Sequence, residues 1–278
     1  MSAAAEPSTT SFLKSRNPLS CDADVLFDEK RHMYSLRSNP SIRFTSVTSV
    51  VARLMPPFRP DIISAKLARG TSGKYAGMSA QEIRRAWTEA ARLGTLLHAA
   101  VETYYNRSEH FSDDAAWDPA AEEAAIKRIV PHPDFGEVAA FFRDEMRLIP
   151  WRSELKMADP TTRISGTADM IFVTPEGPSA GVVIVDWKRT ADAPKENKFA
   201  MCRGELAHLE AGKFWKFATQ LNLYAHLLKS TCGVPTQKLI LVCLNPDGGY
   251  EIQLVPFMPK ETEAIVGRYT LQSQSQSP

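Results

Sequence analysis

Cysteine is scarce in this chain of 278 residues: only Cys21, Cys202, Cys232 and Cys243 occur. No two of them form a C-x-x-C pair and no secretory leader is recognisable, which argues for a reducing compartment and against a disulfide framework. They are expected to be ordinary core residues. Net charge is scarce as well. With 33 basic and 32 acidic side chains the formal net charge is +1, so global charge argues neither for nor against a polyanionic partner, and local patches have to decide. No run approaches the roughly 18 consecutive apolar residues of a membrane span. A soluble, intracellular protein is expected. Internal repeats and mid-chain linkers are lacking too, which favours one folded domain over residues 23–270.

The two ends differ from the middle. Residues 1–22 are rich in Ser, Ala, Thr and Pro, with Lys14 and Arg16 against Glu6 and Asp22. That composition predicts a disordered tail, and fits an organelle transit peptide less well. Residues 271–278 are a low-complexity Gln/Ser stretch and are expected to be a second disordered tail. Between them, a small hairpin is expected in residues 24–44, then a short helix from Ser46 that Pro56 and Pro57 stop, then a helix over Asp61–Ala68. Ser79 to Glu82 forms a capping box, and apolar residues at Ile83, Ala86, Trp87, Ala90, Leu93 and Leu97 keep helical spacing through about Tyr105. That long helix carries Gly94, His98 and Glu102. The last two lie four apart and so share a face. Two further helices are read in 118–149, followed by a strand from Trp151 to Met157 with Glu154 near its middle. Downstream come a helix from about Glu205 to Lys229, strands Lys238–Leu244 and Tyr250–Val255, and a last helix from Pro259. The order predicts an α/β protein with a mixed central β-sheet flanked by helices, with a helical part over 46–149 and a sheet core over 150–258.

The chemistry concentrates in Ser165–Thr190. Two apolar, β-branched runs flank the turn Pro175-Glu176-Gly177-Pro178-Ser179, and folding about Gly177/Pro178 sets Asp169 opposite Asp186. Opposed residues point to one face and a strand repeats its face every two residues, so Lys188 joins the two carboxylates while Trp187 turns away. A buried apolar strand that ends in Asp-Trp-Lys calls for a divalent metal. Asp169 and Asp186 are hard oxygen ligands, the backbone carbonyl of Trp187 adds a third oxygen, and Lys188 is placed to orient a water and offset charge.

Gly166-Thr-Ala-Asp169 followed by Asp186-Trp-Lys188 resembles the active-site signature of the PD-(D/E)XK nuclease superfamily, with Ala168 in place of its proline. Upstream, Gly94-Thr-Leu-Leu-His98-Ala-Ala-Val-Glu102 is similar to the GTxxHxxxE block of the RecB-like branch, and downstream Gln220-Leu-Asn-Leu-Tyr224 is similar to its QxxxY block. FTSVTSVV and KYAGMSAQEIRRAW also resemble viral, phage and mitochondrial genome maintenance exonucleases of that branch. The resemblance implies a restriction-endonuclease-like core and a Mg²⁺ or Mn²⁺ deoxyribonuclease, acting as an exonuclease on single-stranded DNA in maintenance, repair or replication. It implies catalytic residues Asp169, Asp186 and Lys188, and His98 as a metal ligand beside Asp169, Asp186 and Trp187. It places Gln220 and Tyr224 near the metal and the bound strand, and Glu154 at an acidic position of the preceding strand. Replication or repair proteins would be partners, and a mitochondrial or nuclear location would follow in a eukaryote. An iron-sulfur cluster is not expected, because Cys202 precedes Gln220 and a whole strand segment separates Cys232 from Cys243.

Each residue also has a plainer reading. His98 could be a core histidine, Glu102 a solvated helix residue and Glu154 a surface-strand residue, while Gln220 and Tyr224 could simply pack. Lys213-Phe-Trp-Lys-Phe217 interleaves bases and aromatics; Phe214 and Phe217 suit the core, and Lys213 and Lys216 suit nucleic-acid backbone contacts. Arg84, Arg85, Arg92, Arg152, Arg189, Lys195 and Lys198 are further phosphate candidates. The alternatives to a nuclease are a nuclease-derived DNA-binding module that no longer cuts and a metal-dependent hydrolase of small nucleotides.

Overall fold

A computed structural model describes residues 12–106, 148–174, 176–191 and 200–275, with isolated positions between 124 and 141. The expected helices of 118–149, and Lys195 and Lys198, fall largely or wholly outside these residues. The described strands are β1 (Val25–Asp28), β2 (Met33–Leu36), β3 (Thr45–Ser46), β4 (Ile149–Asp159), β5 (Ile164–Val173), β6 (Val182–Arg189), β7 (Thr236–Leu244) and β8 (Tyr250–Val255). The helices are α1 (Phe12–Arg16), α2 (Val47–Leu54), α3 (Pro60–Leu67), α4 (Ala80–Tyr105), α5 (Lys213–Cys232) and α6 (Pro259–Ser275). β1 and β2 form a separate hairpin. The other six strands make one mixed sheet in the order β3-β5-β6-β7-β8, with β4 on β5.

Hydrophobic patterning accounts for the layers. One sheet face buries Ile171, Ile184 and Leu241 under Val50 of α2 and Leu221 and Leu227 of α5. The other buries Met170, Phe172, Val185 and Trp187 under Leu97, Val101 and Tyr105 of α4. Strands covered on both faces read as nearly continuous apolar runs, as Val182–Val185 does. α4 starts where its capping box predicts: the Ser79 hydroxyl accepts from the Glu82 N–H at 3.3 Å, and the Glu82 carboxylate accepts from the Ser79 N–H at 2.8 Å.

β5 explains where the site opens. β4 pairs antiparallel along its length, from Ile149↔Val173 to Asp159↔Ile164, so one edge of β5 is taken. On the other edge β3 pairs parallel at Ile164 and Ser165, and β6 antiparallel from Met170 to Val173. Positions 166–169 of that edge therefore make no ladder pair among the described residues. They are Gly166, Thr167, Ala168 and Asp169.

Several expectations need correction. The first tail is folded from Phe12: the Leu13 side chain has no exposed surface. Arg152, at 2% exposure, is bound to Asp22 at 2.6 and 2.9 Å and to the Asn17 carbonyl at 3.1 Å. Arg152 is thus a buried structural cation and not a phosphate contact, because Asp22 neutralises it inside the fold. Second, Cys21 and Cys232 form a disulfide, whereas Cys202 and Cys243 are free and buried. The close approach depends on the docking of the N-terminal segment against the end of α5, and it removes the ground for reading a reducing compartment from the cysteines. Third, α5 begins at Lys213 and not at Glu205. Gly204–Leu206 is only a 3-10 turn, anchored by the Arg203 N–H to the Leu54 carbonyl at 2.7 Å, and Gly212 is the N-cap. α6 also continues to Ser275, past the start expected for the second tail.

Candidate metal centre

The hairpin of β5 and β6 has the register the turn chemistry predicts: Met170↔Val185 is its last described pair, and one step further sets Asp169 against Asp186. Trp187 turns to the opposite face, where its ring meets Phe141 at 5.9 Å and Tyr105 at 6.1 Å. Lys188 comes back beside the carboxylates. Its Nζ lies 2.6 Å from Asp186 Oδ2 and 3.8 Å from Asp169 Oδ2.

α4, which covers the Trp187 side of the sheet, carries His98 to the carboxylates, with Nδ1 3.2 Å from Asp169 Oδ2. β4 brings Glu154 from the other side. One ligand atom each from His98, Glu154 and Asp169 lies within 4.8 Å of the others. An imidazole nitrogen and two carboxylates suit a hard divalent cation, so the donor set fits the metal that the sequence implies. Asp186, the other carboxylate expected to ligate, is engaged by two neighbours. Its Oδ2 is paired with Lys188, and its Oδ1 accepts from Gln220 Nε2 at 3.2 Å.

Gln220 and Tyr224 lie under the site more than across its front. Both are buried, and Gln220 Nε2 also donates to the Tyr224 hydroxyl at 3.0 Å. The Tyr224 ring packs so closely on the sheet that a Cβ at Gly166 would sit 2.7 Å from it. That contact gives a physical reason for the glycine of Gly166-Thr-Ala-Asp169. Lys188 lies 5.4 Å over the Phe217 ring, and Lys216 is 5.9 Å from the same ring. Lys213 donates to the Thr190 hydroxyl at 3.1 Å. Arg84 and Arg92 are tied to Asp61 at 3.7 Å and to Glu89 at 2.6 Å. Arg189 ends β6, level with Leu244.

Charge and burial oppose each other here. Burial would raise Asp169, but Lys188 and His98 outweigh it and hold its carboxyl below the ordinary value. Burial and the charge of Asp169 push Asp186 up. Glu154 is raised to about 7 by burial and by Asp169 and Glu102. Burial likewise raises Glu102. For His98 and Lys188 burial pulls downward, yet the adjacent aspartates carry both above their ordinary values. Burial and the neighbouring Lys188 and Lys213 lower Lys216. A site that strains to keep its carboxylates charged without a cation is one that a cation relieves.

Glu154 shows a backbone cost as well. It sits at φ +45° between two regular ladder pairs, Ser153↔Met170 and Leu155↔Ala168. A cleft of about 760 Å³ opens beside the cluster, walled by Phe27 and Tyr34 of the β1–β2 hairpin, Ser46 of β3, Ser49 of α2, and Glu102 and Glu154. The Tyr34 and Thr167 hydroxyls hydrogen-bond at 2.6 Å, which ties the hairpin to the sheet. Sequence reading gave Phe217 to the core, against which it packs, and assigned no role to Tyr34 or Thr167, which nothing local in the sequence distinguishes.

The model of the PD-(D/E)XK nuclease superfamily matches residues 74–264, more than half of the chain. The chain belongs to that superfamily, and its mixed sheet flanked by helices is the restriction-endonuclease-like fold. Among curated proteins none matches. Among solved structures, a Eubacterium rectale protein named "Putative exonuclease" is 14% identical over 84% of this chain and 79% of its own, with a TM-score of 0.44. The protein SSO0001 is 14% identical over 57% of this chain and 68% of its own, with a TM-score of 0.27. Likenesses this distant carry no weight below. Among the described residues no helix is long and apolar enough to cross a membrane.

Proposed function

We propose that this nuclease-family chain is a Mg²⁺- or Mn²⁺-dependent deoxyribonuclease of the RecB-like branch, an exonuclease that degrades single-stranded DNA ends in maintenance, repair or replication. The observation that carries the reading is the convergence of His98, Glu154 and Asp169 beside the Asp186–Lys188 pair. In this reading His98, Glu154 and Asp169 hold the metal, and Asp186 and the Trp187 carbonyl complete its oxygen ligands. The metal, when bound, stabilises charge on the phosphate oxygens and lowers the pKa of a bound water. Asp186 fixes the Lys188 ammonium, which orients the attacking water and offsets negative charge as the phosphodiester is displaced. Gln220 fixes Asp186 in turn, and Tyr224 fixes the floor around Gly166. Glu102 shapes the cleft beside them, while Arg189, Lys213 and Lys216 supply positive charge along the strand's path.

The test is a time course on single-stranded DNA labelled at each end in turn, with a circular strand as control, in Mg²⁺ and in Mn²⁺. Release of short products from linear strands only is expected. Lys188→Ala and Asp186→Asn, checked for folding by circular dichroism, should each lower the rate by about 10²-fold or more. Variants as active as the parent protein would reject the assignment of the site. Strand binding without turnover in any divalent metal would favour the non-cutting module instead.

A further inference from the structure

The region ahead of the metal centre has a charge balance unlike the rest of the chain. Residues 58–93 hold seven basic and three acidic side chains, a surplus of four in a protein whose whole net charge is +1. Arg84 and Arg92 are used in ion pairs. Arg59, Lys66, Arg69, Lys74 and Arg85 are exposed and enter no ion pair among the described residues.

Aromatic rings stand among these charges. Trp87 of α4 is locked by its indole N–H, which donates to the Tyr75 hydroxyl at 2.9 Å, with the Tyr75 ring edge-on at 6.2 Å. Phe58 lies 5.5 Å from Trp87 and is 66% exposed. An apolar ring displayed to solvent on a fixed partner, in a segment rich in exposed cations, has no evident use in packing. Combined charge and stacking is the chemistry that holds an unpaired nucleic-acid strand, whereas a duplex hides its base faces.

The position of this surface on α4 links it to the site. Trp87 and His98 are eleven residues apart, which is about 16 Å along the axis and within about 20° of the same azimuth. Ala91 and Gly94 occupy the stripe between them. A Cβ at Gly94 would meet no atom within 4 Å, and no residue of α4 between Ile83 and Leu97 is buried. The same helix face therefore runs from the aromatic pair, over small side chains, to the metal ligand.

We infer that Phe58, supported by Trp87 and set in a segment that also carries the exposed cations Arg59, Lys66 and Arg85, is a stacking platform that grips single-stranded nucleic acid and feeds it along α4 to the metal centre. This rests on the nuclease reading above and adds the place where the strand enters. At about 3.4 Å per stacked nucleotide, the span between platform and metal corresponds to about five nucleotides. Strands shorter than that cannot engage both.

The test compares the full-length protein with Phe58→Ala and with the triple variant Arg59→Ala/Lys66→Ala/Arg85→Ala, all at exposed positions and each checked by thermal melting. Affinity for a fluorescent single strand of about twelve nucleotides is measured in EDTA, where no cleavage occurs. Phe58→Ala is expected to weaken binding about tenfold. The triple variant should lower the slope of log affinity against log salt by about two. In Mg²⁺, the advantage in kcat/KM of that strand over one of about three nucleotides should fall by about tenfold in both variants. Unchanged affinity with an unchanged length advantage overturns the platform, and an equal loss on blunt duplex overturns the single-strand occupant. A protein that binds through Phe58 yet cleaves neither length refutes the nuclease reading while the platform stands.

Discussion

Glu154 is where local strain and candidate chemistry meet. A non-glycine residue at φ +45° costs on the order of 1–3 kcal/mol, and its carboxyl is raised to about 7 by burial and by Asp169 and Glu102. Both penalties are relieved by a side chain that tolerates the left-handed region and carries no charge. Glu154→Asn is therefore expected to raise the melting temperature of the metal-free protein by about 2–4 °C. The same variant should lose the further rise that Mg²⁺ or Mn²⁺ gives the parent protein, since a ligand that binds only the folded state stabilises it by mass action. Differential scanning fluorimetry with and without metal checks both halves. An unchanged metal-induced rise would remove Glu154 from the ligand set. The sequence suggested an acidic strand residue here, but a left-handed backbone inside a strand has no sequence signature in a glutamate.

At the scale of elements, α1 and the 3-10 turn Ser20–Ala23 that follows it act as a strap on β4. The guanidinium of Arg152 is almost fully buried and depends on Asp22, with further support from the Asn17 carbonyl. Removing one partner of a buried pair leaves the other uncompensated. Arg152→Ala should destabilise the fold by about 3–5 kcal/mol, read from the urea midpoint, whereas Arg85→Ala on exposed α4 should change it by less than about 0.5 kcal/mol. Equal shifts would show that Arg152 is no structural cation. This strap escaped sequence reading because Leu13 and Asp22 look like isolated residues in a polar tail until β4 supplies their partners. The capping box of α4, the β5–β6 hairpin and the β7–β8 pairing were legible because local chemistry alone selects them. The α5 boundary was not, because Glu205–Leu206 forms its turn against Leu54, far away in the chain.

For the whole molecule, the Cys21–Cys232 disulfide closes a loop across 211 residues and ties the N-terminal strap to the end of α5. A cross-link over so long a loop restricts the unfolded chain most. Cys21→Ser, or reduction of the parent protein, is expected to lower stability by about 2–4 kcal/mol in chemical denaturation. Identical curves with and without reductant would mean that the bridge adds nothing to folding. The sequence by itself determined the α/β order of elements, the opposition of Asp169 and Asp186, and the four short blocks that point to a metal-dependent nuclease. The element order and the opposed carboxylates follow from local periodicity, turn residues and spacing, and the blocks point to a nuclease through their resemblance to the family. Only the tertiary structure decided that Glu154 joins His98 and Asp169 while Asp186 is held by Lys188 and Gln220. It also decided that residues 12–22 are folded and bridged, and that a basic, aromatic segment lies three turns from His98 on α4. Those outcomes depend on which distant segments pack together, and packing partners far apart in a chain leave no mark on the local pattern of either one.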